Sequence, residues 1–192
     1  MKILAIDTSS ANMIVLLYKD GETFVYQNDC QKQHSETLNP AVEELCRKAG
    51  VALQDVDVFA CCVGPGSFTG IRVGIAAMKG FRTVFGKKAI SVNSLEVAAY
   101  HTVGCVTAYA EAGRGNFYAA VFEDGVCVKQ PCLATSDESG EQKLYCGNGN
   151  TPENLLGTVL QKIERNEFSQ DWEPLYLQKS QAEVMHERRQ TQ

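Results

Sequence analysis

What most constrains this chain is a pattern that occurs twice: an apolar strand ending at a carboxylate, a polar break, and two β-prone runs joined by an Asp-Gly pair. Asp7 stands thirteen residues before Asp20, and Glu111 stands thirteen before Asp124. Asp-Gly is a favoured two-residue hairpin turn because both residues tolerate positive φ. Residues 2–6, 13–18 and 23–26 therefore predict one three-stranded antiparallel meander, and 105–110, 116–123 and 126–133 predict a second. A chain that repeats a meander in this way is expected to build two lobes of a duplicated α/β fold.

Between the meanders the apolar spacing changes from two to 3.6. Leu38, Ala41, Val42, Leu45 and Ala49 fall on one helical stripe and Gly50 is a natural stop, so 38–49 reads as an amphipathic helix. Pro40 lies near its start, and Ser35, Thr37 and Asn39 all remain open as the first turn. Residues 56–63, hydrophobic through Phe59-Ala60-Cys61-Cys62, predict a strand covered on both faces. The strand breaks into Gly64-Pro65-Gly66-Ser67-Phe68-Thr69-Gly70, where glycine permits tight turns and Thr69 is a candidate cap for a helix over 71–85. Gly74 and Gly80 inside that helix lower its intrinsic stability, which suits a place where another backbone comes close. Further on, 89–92 predicts a strand, Ser94 and Glu96 a short capped helix, 135–142 a polar loop and 144–146 a strand. Gly147-Asn148-Gly149 reads as a turn. Thr151 and Pro152 open a helix over 152–165, and the polar tail from Ser180 is expected to fray.

Composition narrows the function. Eighteen Lys and Arg against 23 Asp and Glu leave a formal charge of -5, and the basic residues are dispersed, so direct nucleic-acid binding is disfavoured and any RNA is expected to be held by something else. No apolar run approaches the roughly 20 residues of a membrane span, and Asp7 interrupts the first strand too early for a signal peptide. A cytoplasmic protein with no membrane contact is expected. The eight cysteines include no C-x-x-C pair and are read as reduced thiols behaving as small hydrophobes. The three histidines offer neither an H-E-x-x-H metal motif nor a nucleophile-His-acid set, so no metal site or peptidase site is expected.

The order of short motifs is more specific. Ile3-Leu4-Ala5-Ile6-Asp7-Thr8-Ser9, His34-Ser35-Glu36, Gly64-Pro65-Gly66-Ser67-Phe68-Thr69-Gly70-Ile71-Arg72-Val73-Gly74, Ser94-Leu95-Glu96 and Tyr176-Leu177-Gln178-Lys179-Ser180-Gln181-Ala182-Glu183 together resemble the TsaB (YeaZ) family. That family comprises bacterial accessory proteins in forming threonylcarbamoyladenosine beside the tRNA anticodon. The resemblance implies an α/β, duplicated ribonuclease-H-like fold of the actin, sugar kinase and heat-shock-chaperone superfamily, and because the C-terminal half is shorter than that family leads one to expect, an abbreviated second lobe is expected here. The expected division is 1–100 for the N-terminal lobe, 101–180 for the C-terminal lobe and 181–192 for a flexible tail.

It further implies a non-catalytic paralogue of TsaD that needs no cofactor and no metal. Such a protein pairs with a TsaD-like catalytic subunit through the two helices of the first lobe, and the pair recruits a TsaE-like ATPase. In isolation it forms a homodimer through the same helices. Carried onto this chain, the interface would use Leu38, Ala41, Val42, Leu45, Ile71, Gly74, Ile75, Ala77, Met78 and Phe81. Asp7, Thr8 and Ser9 would be the remnant of a nucleotide site, with Glu111 at the matching place in the second half. Gly64, Pro65, Gly66, Ser67, Thr69 and Gly70 would form a rigid loop, with anion binding at the helix N-terminus as the second reading. The chain departs from the family at Glu111 and Gly113, where Asp and Arg are usual, and at Gln178, where Arg is usual. Two alternatives stand beside this reading: a small ATP-dependent phosphotransferase that uses Asp7 with Mg-ATP, and a free-standing homodimeric binding module.

Overall fold

A computed structural model describes residues 1–28, 33–113, 115–134, 142–147 and 149–177. In chain order the elements are β1 (Lys2–Asp7), β2 (Met13–Lys19), β3 (Glu22–Asn28), α1 (His34–Ala49), a 3-10 turn (Leu53–Asp55), β4 (Val58–Cys62), α2 (Phe68–Phe85), β5 (Lys88–Val92), α3 (Ser94–Ala98), β6 (Cys105–Gly113), β7 (Asn116–Glu123), β8 (Val126–Ala134), β9 (Gln142–Tyr145) and α4 (Pro152–Glu164). They form a five-stranded sheet, β3-β2-β1-β4-β5, and a four-stranded sheet, β8-β7-β6-β9. In the first sheet β1 pairs antiparallel with β2 and parallel with β4. Asp20 and Asp124 both take positive φ at the tips of their hairpins, as the Asp-Gly pairs predict.

The apolar runs of β1, β2 and β4 are continuous because alternate side chains serve two cores. Leu4, Ile6, Val15, Leu17, Phe59 and Cys61 pack with α1 and α2 on one face of the first sheet. Ile3, Ala5, Ile14, Leu16, Ala60 and Cys62 pack on the other with Leu155 and Val159 of α4. Helix α4 therefore closes the first sheet although it follows the second meander in sequence. Trp172 returns to the first core as well, fully buried, with its indole Nε1 donating to the Ile90 carbonyl at 2.7 Å. The second sheet is covered by α3 and its C-cap, where Leu95, Ala98 and Ala99 meet Val106, Ala108, Ala110, Ala120 and Phe122.

Several local expectations need correction. Helix α1 starts at His34, before any of the three candidates, so Pro40 lies inside it and not in its first turn. The missing N–H leaves the Glu36 carbonyl without its helical partner, and both residues are exposed, so water can satisfy it. Helix α2 starts at Phe68; its cap is Ser67, whose Oγ accepts from the Gly70 N–H at 3.2 Å, while Thr69 lies within the helix. Asn93, not Ser94, caps α3 and completes a capping box with Glu96. Strand β6 runs through Glu111 to Gly113, so the second carboxylate lies within its strand instead of ending it. Thr151 caps α4 with Pro152 at its start, as the sequence predicts. The polar loop over 135–141, Asn148 and residues 178–192, with Gln178 and the tail from Ser180, lie outside the described residues.

Candidate functional site

The C-terminal end of β1 is where the first sheet, α2 and the approach to α4 converge. Asp7 there is buried, and both of its carboxylate oxygens accept hydrogen bonds from the chain. The Ser9 N–H and Oγ–H both donate to Asp7 Oδ1, at 2.8 and 2.6 Å, and the Asn150 Nδ2–H donates to Oδ2 at 2.8 Å. A buried carboxylate is tolerated only when donors of this kind replace water. The residue from beyond the second meander that reaches Asp7 is Asn150. Glu111 is exposed on β6, opposite Phe117, and takes no part in this cluster. The Thr8 Oγ1 and Asn150 Oδ1 atoms are buried nearby without a hydrogen-bond partner. The same carboxylate adds to the effect of burial in pushing the Cys61 and Cys62 thiols far above their ordinary range.

The glycine-rich loop holds this turn from the other side. Gly66, Gly70 and Gly74 are four residues apart and form one ridge against which residues 8 and 9 lie. A Cβ on Gly66 would strike the Ser9 carbonyl, one on Gly70 the Thr8 carbonyl, and one on Gly74 the Thr8 hydroxyl. The Ser67 N–H donates to the Ser9 carbonyl at 2.6 Å, and Ser94 fixes the opposite side through Ser94 N–H to Gly64 O at 2.9 Å and Ser94 Oγ to Pro65 O at 2.6 Å. The N–H groups of Ser67, Gly70 and Ile71 are thus engaged within the chain, which leaves little of the helix N-terminus for an anion. His34 ties α1 to the same turn: its Nε2 lies 2.8 Å from the Ser10 carbonyl, so that nitrogen carries the proton.

Of the ten residues expected at a partner interface, eight are turned into the chain's own core: Leu38, Ala41, Val42, Leu45, Ile71, Gly74, Ile75 and Met78. Ala77 and Phe81 are half-buried against that same core, and the Phe81 ring lies 6.1 Å from that of Phe59. The reason is elementary: the apolar stripe of an amphipathic helix packs on the nearest sheet, here β1, β2 and β4. Gly74 serves the approach of α2 to β1. The outward face of α2 is a different set, with Thr69, Ala76, Gly80, Thr83 and Val84 exposed and Val73 at its margin, half-buried against the first core. Gly80 has open space where a Cβ would stand. Beside it, α1 shows Ser35, Glu36, Asn39, Glu43 and Arg47 to solvent.

One flank of α2 carries a strap that sequence periodicity gives no means of finding. Ser169 N–H donates to Ala89 O at 2.8 Å and Leu175 N–H to Val63 O at 2.9 Å, with Trp172 buried between them. Lys79 reaches Asp171 at 2.7 Å, Arg82 donates to the Gln170 carbonyl, and Arg72 Nε donates to the Tyr176 hydroxyl at 2.7 Å. Asn150 was equally invisible, because its partner lies 143 residues away. No group of three or more His, Cys, Asp or Glu gathers among the described residues as a metal site would need, and no described helix is long and apolar enough to cross a membrane.

Residues 25–130 match the family model of TsaD, tRNA N6-adenosine threonylcarbamoyltransferase. The TsaB protein named for tRNA threonylcarbamoyladenosine biosynthesis in Escherichia coli (strain K12) is 34% identical over 99 residues, which cover 52% of this chain and 43% of that protein. Its counterpart in Bacillus subtilis (strain 168) is 34% identical over 127 residues, 64% of this chain and 56% of that one. The chain thus spans about half the length of these curated relatives. Among solved structures, YeaZ from Pseudomonas aeruginosa superimposes with a TM-score of 0.76 at 24% identity, over 92% of this chain and 99% of that one. A second Pseudomonas aeruginosa structure, described as similar to peptidase YeaZ, gives 0.77 at 22% identity with the same coverage. The architecture is accordingly the two-lobed ribonuclease-H-like one.

Proposed function

We propose, since this chain belongs to the TsaD family in its TsaB (YeaZ) branch, that it is an accessory subunit in threonylcarbamoyladenosine formation on tRNA. In this reading it pairs with a TsaD-like catalytic subunit and performs no transfer itself. A TsaE-like ATPase joins through the pair, tRNA is held by the other subunits, the isolated chain self-associates, and the work is cytoplasmic.

The observation that carries this reading is the outward face of α2. Ala76 and Gly80 leave the helix surface low enough for another helix to approach closely, with Val73 and Val84 as apolar flanks. The buried stripe instead supports that face from beneath. The docking residues are therefore Thr69, Val73, Ala76, Gly80 and Val84 with the exposed edge of α1, in place of the ten read from the sequence. The phosphotransferase alternative has the opposite support: Asp7, the acid it requires for a metal, already accepts three hydrogen bonds from the chain.

Depletion of the chain in its own organism tests the role. Digested tRNA should lose threonylcarbamoyladenosine, measured by mass spectrometry against unmodified adenosine, and a wild-type copy should restore it. Undiminished modification after complete depletion would refute the assignment.

A further inference from the structure

Helix α2 contains no Asp or Glu in its 18 residues, yet it carries Arg72, Lys79 and Arg82 in a chain whose formal charge is -5. Two of these cations are settled within the chain. Lys79 pairs with Asp171, and Arg82 donates to the backbone carbonyls of Gln170 and Lys87. Arg72 differs. Its Nε–H goes to the Tyr176 hydroxyl, its guanidinium lies 3.9 Å from the Phe68 ring centroid and 5.6 Å from that of Tyr176, and among the described residues no carboxylate or carbonyl meets its two terminal amino groups. Phe68 and Tyr176 are 46% and 47% exposed, with ring centroids 5.5 Å apart. Two half-exposed aromatic rings thus hold a planar cation in a fixed orientation at the N-terminal end of α2, beside the outward face that begins at Thr69.

We infer that Phe68, Arg72 and Tyr176 form a preorganised anchor for a carboxylate-bearing segment of the docked catalytic subunit. This rests on the docking reading of α2. Arginine and tyrosine are the residue types that dominate interface energetics when packed in desolvated clusters. A guanidinium already stacked on a ring loses little freedom on binding, and its remaining fork of N–H groups matches a carboxylate in a bidentate pair. The rings also shield one side of the cation from water, which strengthens an ion pair once the other side is covered. A protein carboxylate is favoured over an RNA phosphate because backbone binding to nucleic acid draws on several free cations along a surface. Here, among the described residues, a single cation of α2 has both terminal amino groups left to donate, within an acidic chain.

The test is calorimetric titration of the purified full chain with the TsaD-like subunit of the same organism, at low and high salt. Four variants are compared with wild type: Arg72→Glu, Arg72→Lys, Tyr176→Phe and Gly80→Leu. Arg72→Glu should weaken binding by about tenfold or more and reduce its salt dependence. Arg72→Lys keeps the charge without the fork, so it should retain the salt dependence while losing about threefold or more in affinity. Tyr176→Phe, which keeps the ring and drops the hydroxyl, should fall between wild type and Arg72→Glu. All three sites are exposed, and unchanged thermal unfolding confirms that each variant is folded. If Arg72→Glu binds like wild type while Gly80→Leu fails, the anchor is refuted and the docking face stands. If wild type does not bind the subunit at all, both fall. If Arg72→Glu instead loses affinity for the organism's tRNA and keeps it for the subunit, the cluster belongs to RNA and the inference is overturned.

Discussion

The ridge of Gly66, Gly70 and Gly74 allows the local logic of this fold to be measured. In an exposed helix interior, replacing Gly by Ala should stabilise by about 1 kcal/mol. Gly80→Ala meets nothing within 4 Å and should show that gain. At Gly74 the new Cβ meets the buried Thr8 hydroxyl and comes within 3.3 Å of Ile6 Cδ1. Overpacking of this kind costs about 1–3 kcal/mol, so against the propensity gain the net change is a loss of about 1 kcal/mol. At Gly70 the obstacle is the Thr8 carbonyl, which is backbone and cannot rotate aside. The cost there lies at the upper end, and the net loss is about 2 kcal/mol or more. Trp172 is the sole tryptophan and is fully buried in the first core, so urea unfolding followed by its fluorescence reads all three variants. With urea slopes of about 1–3 kcal/mol per molar, the midpoints should rank Gly80→Ala above wild type, then Gly74→Ala, then Gly70→Ala. Equal gains at all three positions would show that α2 does not rest on the turn after β1.

Asp7→Ala leaves the Ser9 N–H, the Ser9 hydroxyl and the Asn150 amide without their shared acceptor, and should cost about 3 kcal/mol in the same unfolding assay; a neutral result would refute the structural role of this carboxylate. Thiol labelling under native conditions at mildly alkaline pH should modify exposed Cys132 readily. It should spare Cys61, Cys62 and Cys146 until the protein unfolds, since burial pushes the Cys146 thiol up to about 12 and the other two higher than usual; mass-spectrometric mapping of labelled sites decides it. The Lys79 ammonium, with the Trp172 N–H, holds the Asp171 carboxyl below its ordinary value. The stability from that contact is complete above the unfolded pKa of about 3.9 and is lost as pH falls through the lower folded value. Carbon-detected NMR titration of Asp171 should show the depressed midpoint and its return toward normal in Lys79→Ala.

Much of this arrangement was legible because it depends on local chemistry. The Asp-Gly pairs placed both hairpins, the doubled apolar alternation marked β4 as covered on two faces, and Thr151-Pro152 marked the start of α4. Caps were less certain where hydroxyls crowd together: Ser67 and Thr69 are two residues apart, and only the path of the chain toward Ser9 selects Ser67. The amphipathic stripes are legible as stripes, and the surface they cover is the chain's own sheet. Leu38, Leu45, Ile71 and Met78 announce that something covers them, but the pattern is identical whether the cover is the chain's own sheet or another subunit. Gly74 and Gly80 look alike in sequence, yet one lies against Thr8 and the other faces solvent. Asn150 and the strap from Ser169 to Tyr176 act across long sequence separations and carry no periodicity, so nothing local announces them.

That exposed face of α2 is the claim on which the functional account depends. The most direct measurement is size-exclusion chromatography with light scattering of the chain mixed with the TsaD-like subunit of its own organism, using Gly80→Ala and Gly80→Leu beside wild type. Alanine and leucine both suit a helix at this open position, so both variants should remain folded. Wild type and Gly80→Ala should co-elute with the subunit, and Gly80→Leu, which raises an isobutyl group on the proposed docking face, should not. A complex that forms equally well with Gly80→Leu would place the docking surface elsewhere on the molecule.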